Sequence, residues 1–338
     1  MKFPIVFKLV LLLVFSFNSL QSQTTIEADD LQKDYKIIEK AFKTLHPGLY
    51  RYEDKATVET YFTDLQKTLQ SDKTLAEAYL TFSQFAAKIK CGHTYCNYLN
   101  QGDALQEELF DKADKVPFIF RLIDRRMIVT KDASDVKLPQ GTEILQINGI
   151  EVATIIDRLL TVVPTDGANV GSQLEYMQLS GIGKYEAFDV YFPLFFAPIE
   201  GKFDLKGVDL NTNEAVNVSV KAMSRPQRFE VMEARYGKQS SSYDDMWQFE
   251  ILDAQTAYLQ LGTFITWKME LNWKKFLKDA FAELKAKNIP NLIIDIRGNG
   301  GGMDEVSQFI AKQLLTRDIT LAGSRSLLTY EKVPAALN

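Results

Sequence analysis

Leu292-Ile293-Ile294-Asp295-Ile296-Arg297-Gly298-Asn299-Gly300-Gly301-Gly302 is the stretch on which the reading of this chain turns. Leu292 to Ile296 is an apolar run bounded by Pro290 and Gly298, the pattern of a buried parallel strand. Glycines then follow almost without interruption. They permit positive φ and let another group approach the backbone closely. Glu305–Leu315 reads as a helix. Upstream, Ala257–Leu261 reads as a strand, and Leu271–Lys287 as an amphipathic helix that presents Trp273, Phe276, Leu277, Phe281 and Leu284. The order strand, helix, strand, glycine turn, helix predicts a βαβ-type layer.

Backbone N–H groups ahead of a helix can cradle negative charge, on a phosphate or on a developing oxyanion. The phosphate readings are poorly supported. A Walker loop needs Gly-Lys-Ser/Thr, and a dinucleotide fingerprint needs glycine where Met303 stands. The plain alternative is a tight turn with no chemistry.

The preceding regions differ in texture. Leu31, Tyr35, Ile38, Phe42 and Leu45 share one helical face, with Asp29 and Asp30 placed to cap it and His46-Pro47-Gly48 to stop it. Val58, Tyr61, Phe62, Leu65 and Leu69 mark a second helix. Thr74 and Glu77 form a capping box for a third, which carries Tyr79, Phe82, Phe85, Ala86 and Ile89. From Val116 the pattern turns to short strands: Val116–Phe120, Met127–Val129, Ile144–Ile147, Phe188–Phe195 and Val216–Val220. Asn148-Gly149 supplies a tight turn, and Val152–Leu160 a helix. The expected fold class is α/β in the broad sense, a mixed α+β multidomain chain. A helical domain comes first, a β-rich domain second, and an α/β layer last.

Of the 338 residues, 46% are hydrophobic and 25% charged, enough to bury a sizeable core. The net charge is −5 and no Lys/Arg run stands out, so no nucleic-acid surface is expected. Residues 1–23 pair a lysine-bearing start with a short apolar run and a polar end, as a secretory signal peptide does. That run is shorter than the roughly 20 residues needed to span a bilayer, and no span is expected after it. The mature protein is expected in the periplasm or outside the cell.

The two cysteines lie in Cys91-Gly92-His93-Thr94-Tyr95-Cys96. An extended run of this length spans about 16 Å, whereas a disulfide holds its Cα atoms about 4.4–6.8 Å apart. A bridge therefore needs a turn; two free thiols fit equally well. Zinc on Cys91, His93 and Cys96 would lack a fourth ligand, and no metal or cofactor is expected. His93 is one of two histidines, and an imidazole can take and return a proton as a general base. His46, at a helix end before Pro47, reads as a local hydrogen-bonding residue.

The glycine stretch, entered from Asn288-Ile289-Pro290, resembles the signature of the tail-specific (C-terminal-processing, tricorn-core-like) serine peptidases. Gly141 to Gly149 is similar to part of that family's PDZ-like domain, and His46-Pro47-Gly48-Leu49-Tyr50 to its helical segment. The resemblance implies a signal peptide over 1–23, a helical domain over 24–100, a PDZ-like domain over 101–225 and a partial peptidase core over 245–338. It implies Gly300 and Gly301 as oxyanion donors, and His93 in Gly92-His93-Thr94 as general base. Another branch of the family uses a lysine base instead. Ser307, Ser324 and Ser326 lack the small-residue setting of the family's nucleophile, so that serine is expected outside this sequence. The implied partner is a protein or peptide substrate. Relatives that bind retinoids without cleaving peptides leave open a non-catalytic binder of peptides or apolar ligands.

Overall fold

A computed structural model describes residues 24–181, 183–238, 242–315, 317 and 332–337. The signal-peptide stretch 1–23 and the candidates Ser324 and Ser326 lie outside the described residues.

The N-terminal unit runs β1 (Thr25–Ile26), α1 (Ala28–Leu45), α2 (Lys55–Thr68), β2 (Lys73–Thr74) and α3 (Leu75–Lys88), with β1 antiparallel to β2. Asp54 caps α2 by accepting from Thr57 N at 2.7 Å, and Thr74 with Glu77 closes the expected capping box on α3. For α1 the expectation needs correction. Glu27 is its N-cap, and Asp29 and Asp30 sit inside the first turn, where their charges face the positive end of the helix. Leu31, Tyr35, Val58, Phe62, Leu65, Leu69, Phe85 and Ile89 bury together as one core.

The middle unit comprises α4 (Asp103–Leu109), β3 (Phe118–Ile123), β4 (Arg126–Asp132), β5 (Thr142–Ile147), β6 (Ile150–Glu151), α5 (Val152–Leu160), α6 (Val170–Tyr176), α7 (Ala187–Phe195), β7 (Lys202–Asp209), β8 (Ala215–Lys221) and α8 (Arg225–Tyr236). The antiparallel sheet has the order β3-β4-β5-β7-β8, with β6 paired to β5. Asn148 and Gly149 both take positive φ, 51° and 75°, and so form the two-residue hairpin turn between β5 and β6. α3 belongs to two cores: Phe85 and Ile89 enter the helical one and Tyr79 the middle one.

Phe188–Phe195 was expected as a strand and is the helix α7. Every residue from Ala187 to Pro193 is buried, so the segment has no polar face and no readable period. Its helical spacing shows in Phe188 and Phe192, four residues apart, which stack at 4.7 Å with 11° between ring planes.

The third unit holds β9 (Trp247–Ile251), β10 (Thr256–Leu261), α9 (Trp273–Ala286), β11 (Asn291–Asp295) and α10 (Asp304–Leu314). β10 and β11 are parallel with α9 between them, the expected βαβ order, and β9 is antiparallel to β10. Trp247, Leu259, Leu261, Leu277, Phe281 and Val306 lead its core. β11 was expected to be buried. Among the described residues it pairs with β10 alone and so forms the sheet edge, leaving Ile293 48% exposed and Ile296 58%. The mixed α/β class stands. Among the described residues no helix is long and apolar enough to cross a membrane.

One buried ion pair ties the middle unit together. Arg228 on α8 donates from Nη1 to Asp189 Oδ1 at 2.9 Å and to Val116 O at 3.0 Å, and from Nη2 to Asp189 Oδ2. Both side chains are almost wholly removed from water. Removing one partner would strand the other charge, at a cost of about 3–5 kcal/mol. Arg228→Met alone is therefore expected to lose that much unfolding free energy in urea titration. The double variant Arg228→Met, Asp189→Leu should recover most of it, and failure to recover would assign the loss to packing.

Candidate functional site

The Gly-rich loop joins β11 to α10, and its shape follows from close backbone contact. Gly298, Gly301 and Gly302 take φ of 74°, 99° and 142°. A Cβ on Gly302 would lie 2.2 Å from Phe264 C and O. Through this bare position Phe264 N donates to Gly301 O at 3.0 Å and Met303 N to Phe264 O at 2.8 Å. Asn299 pins the loop a second time. Its Nδ2 donates to Leu261 O at 2.7 Å, and its Oδ1 accepts from Gly301 N at 2.8 Å. Gly301 N–H is thus already engaged, while Gly300 N–H meets no acceptor among the described residues.

Asp295 closes β11 and is held by its neighbours. Its Oδ1 accepts from Arg297 N and Nε, both at 2.9 Å, and its Oδ2 from Tyr258 OH at 2.5 Å. Arg297 foremost, then Tyr258, keeps the carboxyl well below the usual carboxylate range. A carboxylate so firmly ionised is a poor proton carrier near neutrality. Asp295 orients the entry to the loop.

Arg297, Gly298, Asn299 and Gly300 form one wall of a cleft of about 610 Å³, and Tyr98, Arg121, Glu175, Tyr176 and Glu186 line it from the middle unit. The walls are close: a Cβ on Gly298 would lie 3.7 Å from Glu175 Oε1. Arg121 donates to Gln178 Oε1 at 3.0 Å and lies 3.6 Å from Glu175. Glu186 accepts from Ser180 N at 2.8 Å, Ser180 Oγ at 2.5 Å and Gly181 N at 2.9 Å. Burial pushes its carboxyl above the usual range, against the pull of the Ser180 hydroxyl.

His93 lies elsewhere. Gly92 N donates to Asp166 Oδ1 at 3.0 Å and Thr94 N to Cys91 O at 2.9 Å, so the backbone turns at this point and presents His93 to solvent. His93 lines a cavity of about 860 Å³ with His46, Arg51 and Asp166, and an apolar one of about 410 Å³ with Phe42, Phe82 and Phe85. Neither cavity includes the Gly-rich loop. His46 ends α1: its Nδ1 accepts from Gly48 N at 3.1 Å, and its Nε2 lies 2.9 Å from Thr94 Oγ1. A neutral ring that accepts at Nδ1 carries its proton on Nε2 and donates it to the hydroxyl. This His–Thr contact therefore cannot activate Thr94.

Cys91 and Cys96 are both free. Cys91 packs on the helical core and Cys96 on the middle one, and burial pushes the Cys96 thiol upward. Among the described residues no group of three His, Cys, Asp or Glu side chains is placed to hold a metal ion. Ser307 sits on α10 and donates to Asp304 O at 2.7 Å. Sequence reasoning missed the Asn299 latch and the tyrosines of the opposite wall. An amide side chain set among glycines was the available signal for the first; nothing local signalled the second.

Two expectations follow. Gly302→Ala forces a Cβ into the Phe264 backbone and should cost about 1–3 kcal/mol, read by urea unfolding and by faster proteolysis between residues 296 and 303. Burial lowers the His46 pKa below its ordinary value. The unfolded chain therefore takes up that proton first as pH falls, and the contribution to stability, present above about 6.5, is lost below it. The urea midpoint should drop between pH 7.5 and 5, and drop less in His46→Gln; an equal drop would assign the effect to another group.

No curated protein matches the chain. Residues 255–331, which take in β10, α9, β11, the Gly-rich loop and α10, match the family model described as peptidase family S41, and in this stretch the chain is similar to the peptidases of that family.

Proposed function

We propose that the protein is a serine-type peptidase acting on exported proteins or peptides, of the tail-specific kind. The observation that carries this reading is the Gly300 N–H, which meets no acceptor among the described residues, lining a cleft on a loop inside the stretch similar to peptidases. A peptide carbonyl placed there gains a donor aimed at the charge that develops on its oxygen during attack. Gly301 is the second donor in this reading, and its N–H must be shared with or released by Asn299 Oδ1.

The nucleophile is a serine outside the described residues. His93 takes its proton during attack on the scissile carbonyl and returns it to the leaving amine; water then releases the acyl group by the same route. His93 and the loop line different cavities, so the reading requires the segment around Gly92 and the loop to close on one another over substrate. No metal or organic cofactor enters these steps. The β-rich middle unit is read as PDZ-like, holding the C-terminal end of the substrate as an added strand. The signal-like residues 1–23 support export to the periplasm or beyond.

A second reading is a non-catalytic binder of peptides or apolar ligands. The apolar cavity beside His93, lined by Ile38, Phe42, Leu45, Phe82 and Phe85, favours it. A fluorophosphonate probe on the intact gene product separates the two. One labelled serine is expected for the peptidase, and no labelled serine supports the binder. His93→Ala should lower turnover of a casein substrate about a thousandfold or more; unchanged turnover would move the base role to another residue, such as a lysine.

A further inference from the structure

Across the cleft from Gly298 and Gly300 stand two tyrosines whose hydrogen-bonding capacity is not filled. The hydroxyls of Tyr98 and Tyr176 are 2.9 Å apart. Each phenol carries one hydrogen. Their mutual contact uses one of the two, and among the described residues neither hydroxyl has a further partner. Tyr98 is 7% exposed and packs edge-on to Tyr191, whereas Tyr176 is 36% exposed. Either hydroxyl can donate to the other; the arrangement that leaves no buried hydrogen unpaired has Tyr98 donating to Tyr176, which frees the Tyr176 hydrogen for a ligand in the cleft. Burial pushes both phenols upward, so both remain neutral O–H groups near neutral pH.

The surrounding charges limit what this hydrogen can meet. Arg121 is taken by Gln178 and Glu175, and Arg297 by Asp295. Glu175 and Glu186 bring carboxylates to the same wall. Among the described residues lining the cleft both cations, Arg121 and Arg297, are paired with carboxylates, and a neutral acceptor suits the donors beside them. We propose that the Tyr98–Tyr176 pair positions substrate: Tyr176 O–H donates to a backbone carbonyl of a bound peptide, beside the carbonyl held by Gly300 N–H. Tyr176 and Gly300 line the same cleft, across which a Gly298 Cβ would lie 3.7 Å from Glu175 Oε1. An extended peptide, with a carbonyl at each residue, can satisfy both. The chemical role rests on the peptidase reading; the binding role does not.

The test has two arms, both run on the intact gene product. In fluorescein-casein hydrolysis, Tyr176→Phe should raise KM about tenfold with kcat within about twofold, and Tyr98→Phe should raise KM about threefold. Unchanged KM in Tyr176→Phe, or a fall in kcat alone, overturns the proposal. In the second arm, acetyl-tetra-alanine amide is titrated into protein carrying ¹³C-labelled tyrosine. The Tyr176 ring signal should move saturably, and the apparent Kd should weaken about tenfold in Tyr176→Phe, followed through the Tyr98 signal. A static Tyr176 signal, or the same Kd in both proteins, overturns the proposal. Wild type that cleaves no casein but moves the Tyr176 signal would sink the peptidase reading and leave this binding role supported.

Discussion

Phe264 exchanges backbone hydrogen bonds with Gly301 and Met303 on either side of Gly302, where the gap admits no side chain, and the geometry of the candidate site depends on that contact. It brings the loop after β11 down on the segment after β10. Asn299 adds a bond to Leu261 O from within the same loop. Between these two anchors Gly300 has no side chain, and among the described residues its N–H meets no acceptor. A donor becomes available for a ligand here because the residues on either side of it are fully engaged.

Charge in the cleft is arranged for neutral chemistry. Asp295 is held ionised by Arg297 and Tyr258, Arg121 is taken by Gln178 and Glu175, and Glu186 is enclosed by three donors. Paired in this way, the charged groups shape the walls, and Gly300 N–H and Tyr176 O–H are among the cleft groups that can address a carbonyl. His93 belongs to a different surface, shared with His46 and Arg51. Asp166, which lines the cavity of His93, and Asn169, which lines the cleft, are three residues apart in the chain.

Much of the architecture was legible in the residues because it rests on local chemistry. The Thr74–Glu77 capping box, the Asn148-Gly149 hairpin, the limits of α5, and the β10–α9–β11 order all follow from turn residues and apolar spacing within a dozen positions. The failures have a common cause. Phe188–Phe195 is buried on every side, which removes the period that distinguishes helix from strand. Leu292–Ile296 is apolar enough for a central strand, but among the described residues it pairs with β10 alone, and which strands pair with it depends on distant segments.

By itself, then, the sequence determined the Gly-rich loop, its place between a strand and a helix, and the residue types able to face a developing negative charge. Glycine spacing and apolar patterning are properties of neighbouring residues, and neighbouring residues report them. The tertiary structure decided which N–H groups of that loop stay unengaged, which tyrosines stand opposite, and that His93 opens onto another cavity. Those outcomes depend on pairs such as Asn299 with Leu261, Tyr98 with Tyr176 and Arg228 with Asp189. Partners separated by tens of residues leave no periodic trace in a single chain, and only the packing of one element on another brings them within hydrogen-bonding distance.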